Sequence, residues 1–223
     1  MTKLEMLDNV RELCSNLSIS DQLEFVLANN PSNDLPYHNL THTLSTVLCC
    51  YEAGTYYNLP LVSLRPLCVA ALFHDFDHTG GVLPDSENIK LAIAGFSQQN
   101  CLNSFPWYTE FATQVPRFIS VTEYPYVLPP ICLEERIIRD CDLLSVIYDD
   151  WYERIVINLG KEMSVKYGRE VPEYEMVKGQ IEFLGKVTMF TEWGRSTFRS
   201  VYTDRIAFLN SRLSELTTHE ASS

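Results

Sequence analysis

Basic residues are scarce in this chain of 223 residues. Seventeen lysines and arginines stand against 29 aspartates and glutamates, which gives a formal net charge of −12. A surface this acidic argues against a nucleic-acid backbone or an anionic membrane as the main partner. A site for an anionic substrate must therefore supply its own positive charge, and bound metal ions would do so.

Long apolar runs and cysteine motifs are also missing. No apolar stretch approaches membrane-spanning length, and the first residues, Met-Thr-Lys-Leu-Glu-Met-Leu-Asp, contain no apolar signal region. The seven cysteines are odd in number, include no C-x-x-C pair, and several lie within apolar stretches. We therefore expect a reduced, cytoplasmic protein that uses its cysteines as small core residues and has no membrane partner.

Sustained alternation of apolar and polar residues, the mark of a half-buried strand, does not occur, and no repeat or low-complexity linker divides the chain. Apolar residues recur instead at helical spacing. The most regular stripe consists of Phe198, Tyr202, Ile206, Leu209, Leu213 and Leu216. The length suits one domain with a sizeable core. We predict a single all-α domain over residues 1–223 with roughly eight to ten helices.

Histidine is rare as well, and its placement is informative. Four of the five histidines form two pairs with a spacing of four residues: His38 with His42, and His74 with His78. This spacing predicts that each pair lies on one face of a helix. The first pair falls within a strong helical pattern over about residues 37–57, on the face that the leucines do not use.

The histidines are accompanied by aspartates. His74 is followed directly by Asp75 at the end of an apolar run. Imidazole nitrogen and carboxylate oxygen together suit a zinc-like or manganese-like ion, and a carboxylate can bridge two ions. Much later in the chain, Asp140 and Asp142 compete as a further ligand. An earlier histidine, a His-Asp pair and a late aspartate resemble the metal site of HD-type phosphohydrolases.

Four motifs resemble those of class I cyclic-nucleotide phosphodiesterases and follow in the same order. The stretch Pro36-Tyr-His-Asn-Leu-Thr-His42 resembles Y-H-N-x-x-H, and His74-Asp-Phe-Asp-His-Thr-Gly80 resembles H-D-x-D-H-x-G. The stretch Cys141-Asp-Leu-Leu-Ser145 resembles A-D-L-S, and Gln180-Ile-Glu-Phe183 resembles Q-x-x-F. The first two motifs are specific, and the last two are common patterns that gain weight from their company.

The resemblance implies a phosphodiesterase-like helical fold and the hydrolysis of 3′,5′-cyclic nucleotides to 5′-monophosphates. It implies two divalent metal ions, Zn²⁺ with Mg²⁺ or Mn²⁺, and a bridging hydroxide as the nucleophile. The ligands of the first ion would be His42, His74, Asp75 and Asp142. Asp75 would also touch the second ion, which otherwise holds waters and phosphate oxygens. The Asp-Leu-Leu match favours Asp142 over Asp140.

The resemblance also assigns roles around the metal ions. His38 would protonate the leaving 3′-oxygen as the general acid, with His78 close by. Tyr37, Gln180 and Phe183 would bind a small-molecule nucleotide substrate, with the glutamine amide contacting the base and the phenylalanine ring stacking on it. Because an amide offers both a donor and an acceptor, Gln180 does not by itself select adenine or guanine.

The chain also departs from the family. The segment between Gly80 and Ser86 is cut to a few residues where the family has a long loop and helix. Ile89 and Lys90 replace two histidines, and Ser145 stands where an asparagine is expected. These departures indicate a minimal relative, of a microbial or viral kind.

Three alternatives stay open. Another HD phosphohydrolase, such as a nucleotidase or a hydrolase of signalling nucleotides, would share the metal ligands and lack the substrate-binding function of Gln180 and Phe183. An HD-type oxygenase would need more histidine ligands around a di-iron centre than this chain supplies. A catalytically silent nucleotide-binding module would gather carboxylates and imidazoles without a metal, at a cost in stability.

Overall fold

The computed structural model describes residues 2–101 and 108–220. Within these ranges the chain forms ten α-helices and no strand, which confirms the predicted all-α class. The helices are α1 Lys3–Leu17, α2 Ser20–Asn29, α3 Leu40–Tyr56, α4 Leu61–Phe73, α5 Asp85–Cys101, α6 Tyr108–Ser120, α7 Leu133–Asp142, α8 Leu159–Tyr167, α9 Glu173–Lys186 and α10 Glu192–Glu220. Two 3₁₀ helices, Pro31–Asp34 and Leu144–Ile147, and a π-helical segment, Glu153–Asn158, lie between them.

The larger part of the core surrounds α3 and α4. These two helices pack on each other, and α1, α6 and α7 close around them. Every residue of α4 from Leu67 to Phe73 is buried, as expected for a helix that is apolar on all sides. The burial of each of the larger side chains, Leu67, Val69, Leu72 and Phe73, stabilises the fold by about 1.5–3 kcal/mol. The central position of α4 places the residues that follow it, His74 and Asp75, inside the molecule.

A smaller cluster of apolar side chains lies between the π-helical segment, α9 and α10. Val156, Val177, Leu184 and Leu209 are among its buried members. The predicted stripe near the end of the chain forms the contact surface of α10 in this cluster. None of the described helices combines the length and the apolar character that a membrane span requires.

The helix boundaries near the histidines differ from the prediction. The side chain of Asn39 accepts hydrogen bonds from the backbone N–H groups of Thr41 and His42, so it caps α3, which begins at Leu40. At the other site α4 ends at Phe73, and Asp77 adopts the left-handed region with φ of 59°.

His38 therefore lies before α3, and His78 lies in the turn after α4. The prediction that each histidine pair shares one helical face is wrong for both pairs. The structure pairs the histidines across the two segments instead, His38 with His78 and His42 with His74.

Candidate metal centre

Four side chains converge where α3, the turn after α4, and the end of α7 meet. Nε2 of His42 lies 3.2 Å from Nε2 of His74 and 3.0 Å from Oδ1 of Asp142. Oδ2 of Asp75 lies 3.2 Å from the His42 nitrogen and 3.1 Å from the His74 nitrogen. The distance from Nε2 of His74 to Oδ1 of Asp142 is 3.3 Å. The structure thus brings together the four residues that the resemblance implies as ligands of one ion.

The cluster holds more lone pairs than hydrogen bonds can satisfy. Nδ1 of His74 lies 2.9 Å from the carbonyl oxygen of Ala71, so this nitrogen carries the proton and Nε2 of the neutral ring presents a lone pair. Oδ2 of Asp75 is buried and has no hydrogen-bond partner. Tetrahedral ligands about 2.0–2.1 Å from a zinc ion lie about 3.3 Å from one another. The four residues therefore fit a divalent metal ion.

Mutual neutralisation governs the ionisation of these groups. Although burial favours the neutral rings, the carboxylates of Asp75 and Asp142 raise the pKa of His74 well above its usual value and also raise the pKa of His42. Burial likewise opposes ionisation of the two carboxyls, but the two imidazoles hold the pKa of Asp75 and of Asp142 below the usual range. Without a metal ion, protons take the place of the cation, and metal binding must displace them.

Ser145, in the 3₁₀ helix after α7, contacts the cluster through His42 of α3. Its Oγ lies 3.4 Å from Nδ1 of His42, and it accepts a hydrogen bond from the hydroxyl of Tyr37, also at 3.4 Å. The ring of Tyr37 packs against His42, with 5.0 Å between the ring centroids. Ser145, which stands where the family has an asparagine, thereby contacts the ring nitrogen of His42 that faces away from the cluster.

Asp140 points away from the metal centre. Its carboxylate accepts hydrogen bonds from the backbone N–H groups of Phe190 and Thr191 and from the hydroxyl of Thr191, just before α10 begins. A Cβ at Gly194 would collide with the same carboxylate. Because two residues span about 200° around a helix, Asp140 and Asp142 face opposite sides of α7.

A second polar group lies beside the first. The rings of His38 and His78 stack, with centroids 3.7 Å apart and planes inclined by 28°. Oε2 of Glu162, a buried residue of α8, lies 2.5 Å from Nδ1 of His38, and Oε1 accepts the backbone N–H groups of Tyr37 and His38. The carboxylate therefore makes Nδ1 of His38 a donor and leaves Nε2 as the nitrogen available to a ligand.

His38, His78 and Glu162 also lie close enough together to be considered as metal ligands. Most of their ligand atoms already have hydrogen-bond partners, however. Glu162 accepts from two backbone N–H groups and contacts His38, while Nδ1 of His78 accepts the N–H of Gly80 at 3.1 Å. Nε2 of His78 lies 3.1 Å from Nδ2 of Asn88. These three residues therefore form a group beside the metal centre that is held by hydrogen bonds and ring stacking.

Glu162 and Asn88 were not among the predicted site residues. Gly80 and Gly81 have φ of 61° and 91°, and a Cβ at Gly81 would lie 2.6 Å from the carbonyl oxygen of Glu162. This glycine pair lets the turn approach α8 closely enough to place Glu162 beside the histidines. No sequence motif identifies Glu162 as a site residue. The one local indication is that its carboxylate lies on the buried side of α8, which also contains Gly160.

The residues that replace the family histidines serve the fold. Ile89 joins the larger core cluster, and Lys90 forms an exposed ion pair with Glu87 at 2.7 Å. Asn88 between them accepts hydrogen bonds from the N–H and hydroxyl of Thr79, which orients its amide. The segment thus retains one polar contact to His78 and no second imidazole.

The residues predicted to contact the base lie on α9. Gln180 is buried, and its amide nitrogen donates to the carbonyl oxygen of Ile155 at 3.3 Å. Phe183 is partly buried, and its ring meets that of Tyr124 at a centroid distance of 6.2 Å and an angle of 74°. The substrate roles of Gln180 and Phe183 stay predictions, as does that of Tyr37.

Among solved structures, the fold is similar to that of the Leishmania phosphodiesterase LmjPDEB1, whose structure contains IBMX. The TM-score is 0.50, the sequence identity is 17%, and the match covers 99% of this chain and 86% of that chain. No protein-family model and no curated protein matches the sequence. At this identity the likeness concerns the fold. The chain therefore has a phosphodiesterase-like all-α fold with a His/Asp cluster that fits a divalent metal ion.

Proposed function

We propose that the protein hydrolyses 3′,5′-cyclic nucleotides to 5′-monophosphates at the centre formed by His42, His74, Asp75 and Asp142. The observation that carries the proposal is the convergence of their four ligand atoms, with the two imidazole nitrogens 3.0–3.3 Å from each other and from both carboxylate oxygens. The order of the four sequence motifs and the fold support the choice of substrate class. Bound divalent ions would lower the pKa of the attacking water and offset the charge of the phosphodiester.

His38 acts as the general acid in this proposal. Its side chain is 23% exposed, so Nε2 is accessible, while Nδ1 is held by the buried Glu162. As the bond from phosphorus to the 3′-oxygen breaks, Nε2 of His38 gives its proton to that oxygen. A water oxygen forms the new bond to phosphorus and releases a proton to solvent, and His38 regains a proton from solvent. The product carries a free 3′-hydroxyl and a 5′-phosphate.

Glu162 and His78 prepare His38 for this step. Burial raises the pKa of Glu162, but hydrogen bonds from His38 and from two backbone N–H groups outweigh burial and hold the pKa below its usual value. The carboxylate is therefore ionised at neutral pH and orients His38 through the contact with its Nδ1. The stacked ring of His78 restricts rotation of His38.

The test is a turnover panel on protein stripped with chelator and supplied with magnesium, manganese or zinc. Substrates are cyclic AMP, cyclic GMP and pyrimidine cyclic nucleotides, together with 5′-monophosphates and deoxynucleoside triphosphates. We expect metal-dependent release of 5′-monophosphate from cyclic nucleotides, and none from Asp75→Ala. Asp204→Ala, which removes an exposed carboxylate of α10, is the matched control.

Other outcomes would assign a different function. Activity on monophosphates or triphosphates alone would keep the metal centre and make the protein another HD-type phosphohydrolase. Tight nucleotide binding without turnover of any substrate would identify a silent binding module. Either result contradicts the proposed hydrolysis of cyclic nucleotides.

A further inference from the structure

The two imidazoles of the metal centre are oriented by different kinds of partner. Nδ1 of His74 donates to a backbone group of α4, the carbonyl oxygen of Ala71, at 2.9 Å. Nδ1 of His42 has a side chain as its partner, the hydroxyl of Ser145 at 3.4 Å. A histidine ligand whose second nitrogen is held keeps its ring directed at the ion. The orientation of His42 therefore depends on a group that a single substitution can remove, whereas that of His74 depends on the backbone.

The direction of the hydrogen bonds at Ser145 follows from the geometry of His42. Nε2 of His42 faces the carboxylates of Asp75 and Asp142 at 3.2 and 3.0 Å. This nitrogen must present its lone pair to an ion, so Nδ1 carries the proton and donates. Oγ of Ser145 accepts this N–H and also accepts the hydroxyl of Tyr37 at 3.4 Å. A hydroxyl oxygen has two lone pairs, so it can accept both donors at once.

Tyr37 is itself held at both ends. Its backbone N–H donates to Oε1 of Glu162 at 2.7 Å. Its ring packs against that of His42, with 5.0 Å between the centroids. These contacts direct the phenol hydroxyl of Tyr37 at Ser145, and so they determine where one of the two donors to the Ser145 oxygen lies.

Ser145 and Asp142 belong to one short stretch of chain. Asp142 is the last residue of α7, and Ser145 lies in the 3₁₀ helix Leu144–Ile147 that follows. Ser145 is only 4% exposed, so little water competes for its hydroxyl. The same stretch therefore supplies one ligand of the metal centre and the partner of another.

Packing leaves one side of the two rings less restrained. A cleft open to solvent, about 400 Å³ in volume, is bordered by Tyr37 and His42 and also by Arg154 and Asn158. Open space supplies no van der Waals contacts, whereas a filled core restrains a ring from all sides. The hydrogen bonds at Ser145 therefore supply restraint on His42 that packing does not supply on this side.

We propose that Ser145 is a positioning residue of the metal centre and that Tyr37 acts through it. By accepting the Nδ1–H of His42, Ser145 fixes the rotation of the ring that aims Nε2 at the ion, and the hydroxyl of Tyr37 holds Ser145 in place. The inference rests on the proposed function, because it concerns the same metal centre. It is tested on metal binding without substrate, so that the two can fail separately.

The test measures the dissociation constant for Zn²⁺ by competition with a chelating dye. We expect Ser145→Ala to weaken zinc binding about 10- to 100-fold, the usual loss when the partner of a histidine ligand is removed. Ser145→Thr, which keeps the hydroxyl, should bind zinc as the wild type does. Ser120→Ala is the matched control, because it removes another serine hydroxyl, which donates to the carbonyl oxygen of Pro116 within α6.

Tyr37→Phe tests whether Tyr37 acts through Ser145. The variant keeps the ring and its contact with His42 and loses only the hydroxyl. We expect a smaller loss of zinc affinity than in Ser145→Ala, and no further loss when Tyr37→Phe is added to Ser145→Ala, because coupled residues are not additive. Losses that add in the double variant would show that Tyr37 acts independently of Ser145 and would overturn that part of the inference.

The outcomes separate the inference from the proposed function. Zinc affinity that is unchanged in Ser145→Ala, or lowered equally in Ser145→Ala and Ser145→Thr, overturns the role of Ser145 and leaves the hydrolysis of cyclic nucleotides standing. The expected pattern of zinc affinities in a protein that hydrolyses no cyclic nucleotide supports the role of Ser145 and contradicts the proposed function alone. A wild-type protein that binds no zinc overturns the inference.

Discussion

His38 and His78 stack face to face with their ring centroids 3.7 Å apart, although one precedes α3 and the other follows α4. The contact places both rings beside Glu162, whose carboxylate lies 2.5 Å from Nδ1 of His38. The stacked ring of His78 limits rotation of His38. The carboxylate of Glu162 determines that Nδ1 of His38 is the nitrogen that donates to it. A general acid needs this orientation, because the proton must be aimed at the leaving oxygen throughout the reaction.

His38→Ala is expected to lower kcat for cyclic AMP about 10²- to 10⁴-fold, the usual contribution of a general acid. The loss should be much smaller for bis(4-nitrophenyl) phosphate, because 4-nitrophenolate leaves without a proton. Steady-state kinetics on the two substrates checks this, with His219→Ala, a change of the fifth histidine, as the control. An equal loss on both substrates would mean that His38 does not protonate the leaving group.

Glu162→Gln separates an electrostatic role from a structural one. The amide keeps the shape of the side chain but removes the negative charge 2.5 Å from His38. We expect kcat for cyclic AMP to fall at least about tenfold, because a neutral amide holds the Nδ1–H group of His38 more weakly than the carboxylate does. Glu175→Gln, which removes an exposed partner of Arg169, is the control. An unchanged kcat would contradict a positioning role for Glu162, and a melting temperature below that of Glu175→Gln would indicate a structural role alone.

We expect the metal-free protein to lose stability as the pH rises, and the stabilisation by bound metal to increase with pH. The raised pKa of His74 means that its stabilising contribution is complete below the unfolded value, about 6.5, and is lost as pH rises through the folded value. The lowered pKa of Asp142 means that its contribution is complete above about 3.9 and is lost as pH falls through the folded value. The metal-free protein is therefore most stable between these limits.

Calorimetry at several pH values checks this expectation. The melting temperature of the metal-free protein should fall as the pH rises above about 6.5, because the imidazolium partners of the carboxylates are lost. Added zinc should raise the melting temperature more at the higher pH, because the ligand nitrogens are then free of protons. A zinc-induced increase that is larger at low pH would contradict the assignment of His42 and His74 as ligands.

Local patterns predicted the all-α class, and the family resemblance supplied the set of residues that meet at the metal centre. The apolar run of α4 and the His-Asp pair at its end sufficed to place His74 and Asp75 inside the fold. The shared helical face failed because Asn39 caps α3 after His38 and because Asp77 turns the chain before His78. Both effects are local backbone geometry that apolar periodicity does not report.

Contacts between distant segments could not be predicted from the sequence. Glu162 reaches His38 across the fold and accepts backbone N–H groups, an interaction that leaves no pattern in the residues around it. Asp85 and Arg139 likewise bind the backbone of the loop over residues 121–128, which joins α6 to α7, across long separations in the chain. A glycine pair such as Gly80–Gly81 indicates a turn, but not the helix that the turn approaches.

Asp140 and Asp142 offer a matched test, because the same substitution removes a structural carboxylate or a ligand. In Asp140→Asn an amide group faces the N–H donors of Phe190 and Thr191, and a buried donor left unpaired costs about 1–3 kcal/mol. We expect the free energy of unfolding to fall by that amount with metal content unchanged. Asp142→Asn should lose bound metal and turnover, since an anionic ligand leaves the cluster. The measurements are the metal content and the free energy of unfolding of both variants. Loss of metal from Asp140→Asn alone would show that Asp140, and not Asp142, is the ligand.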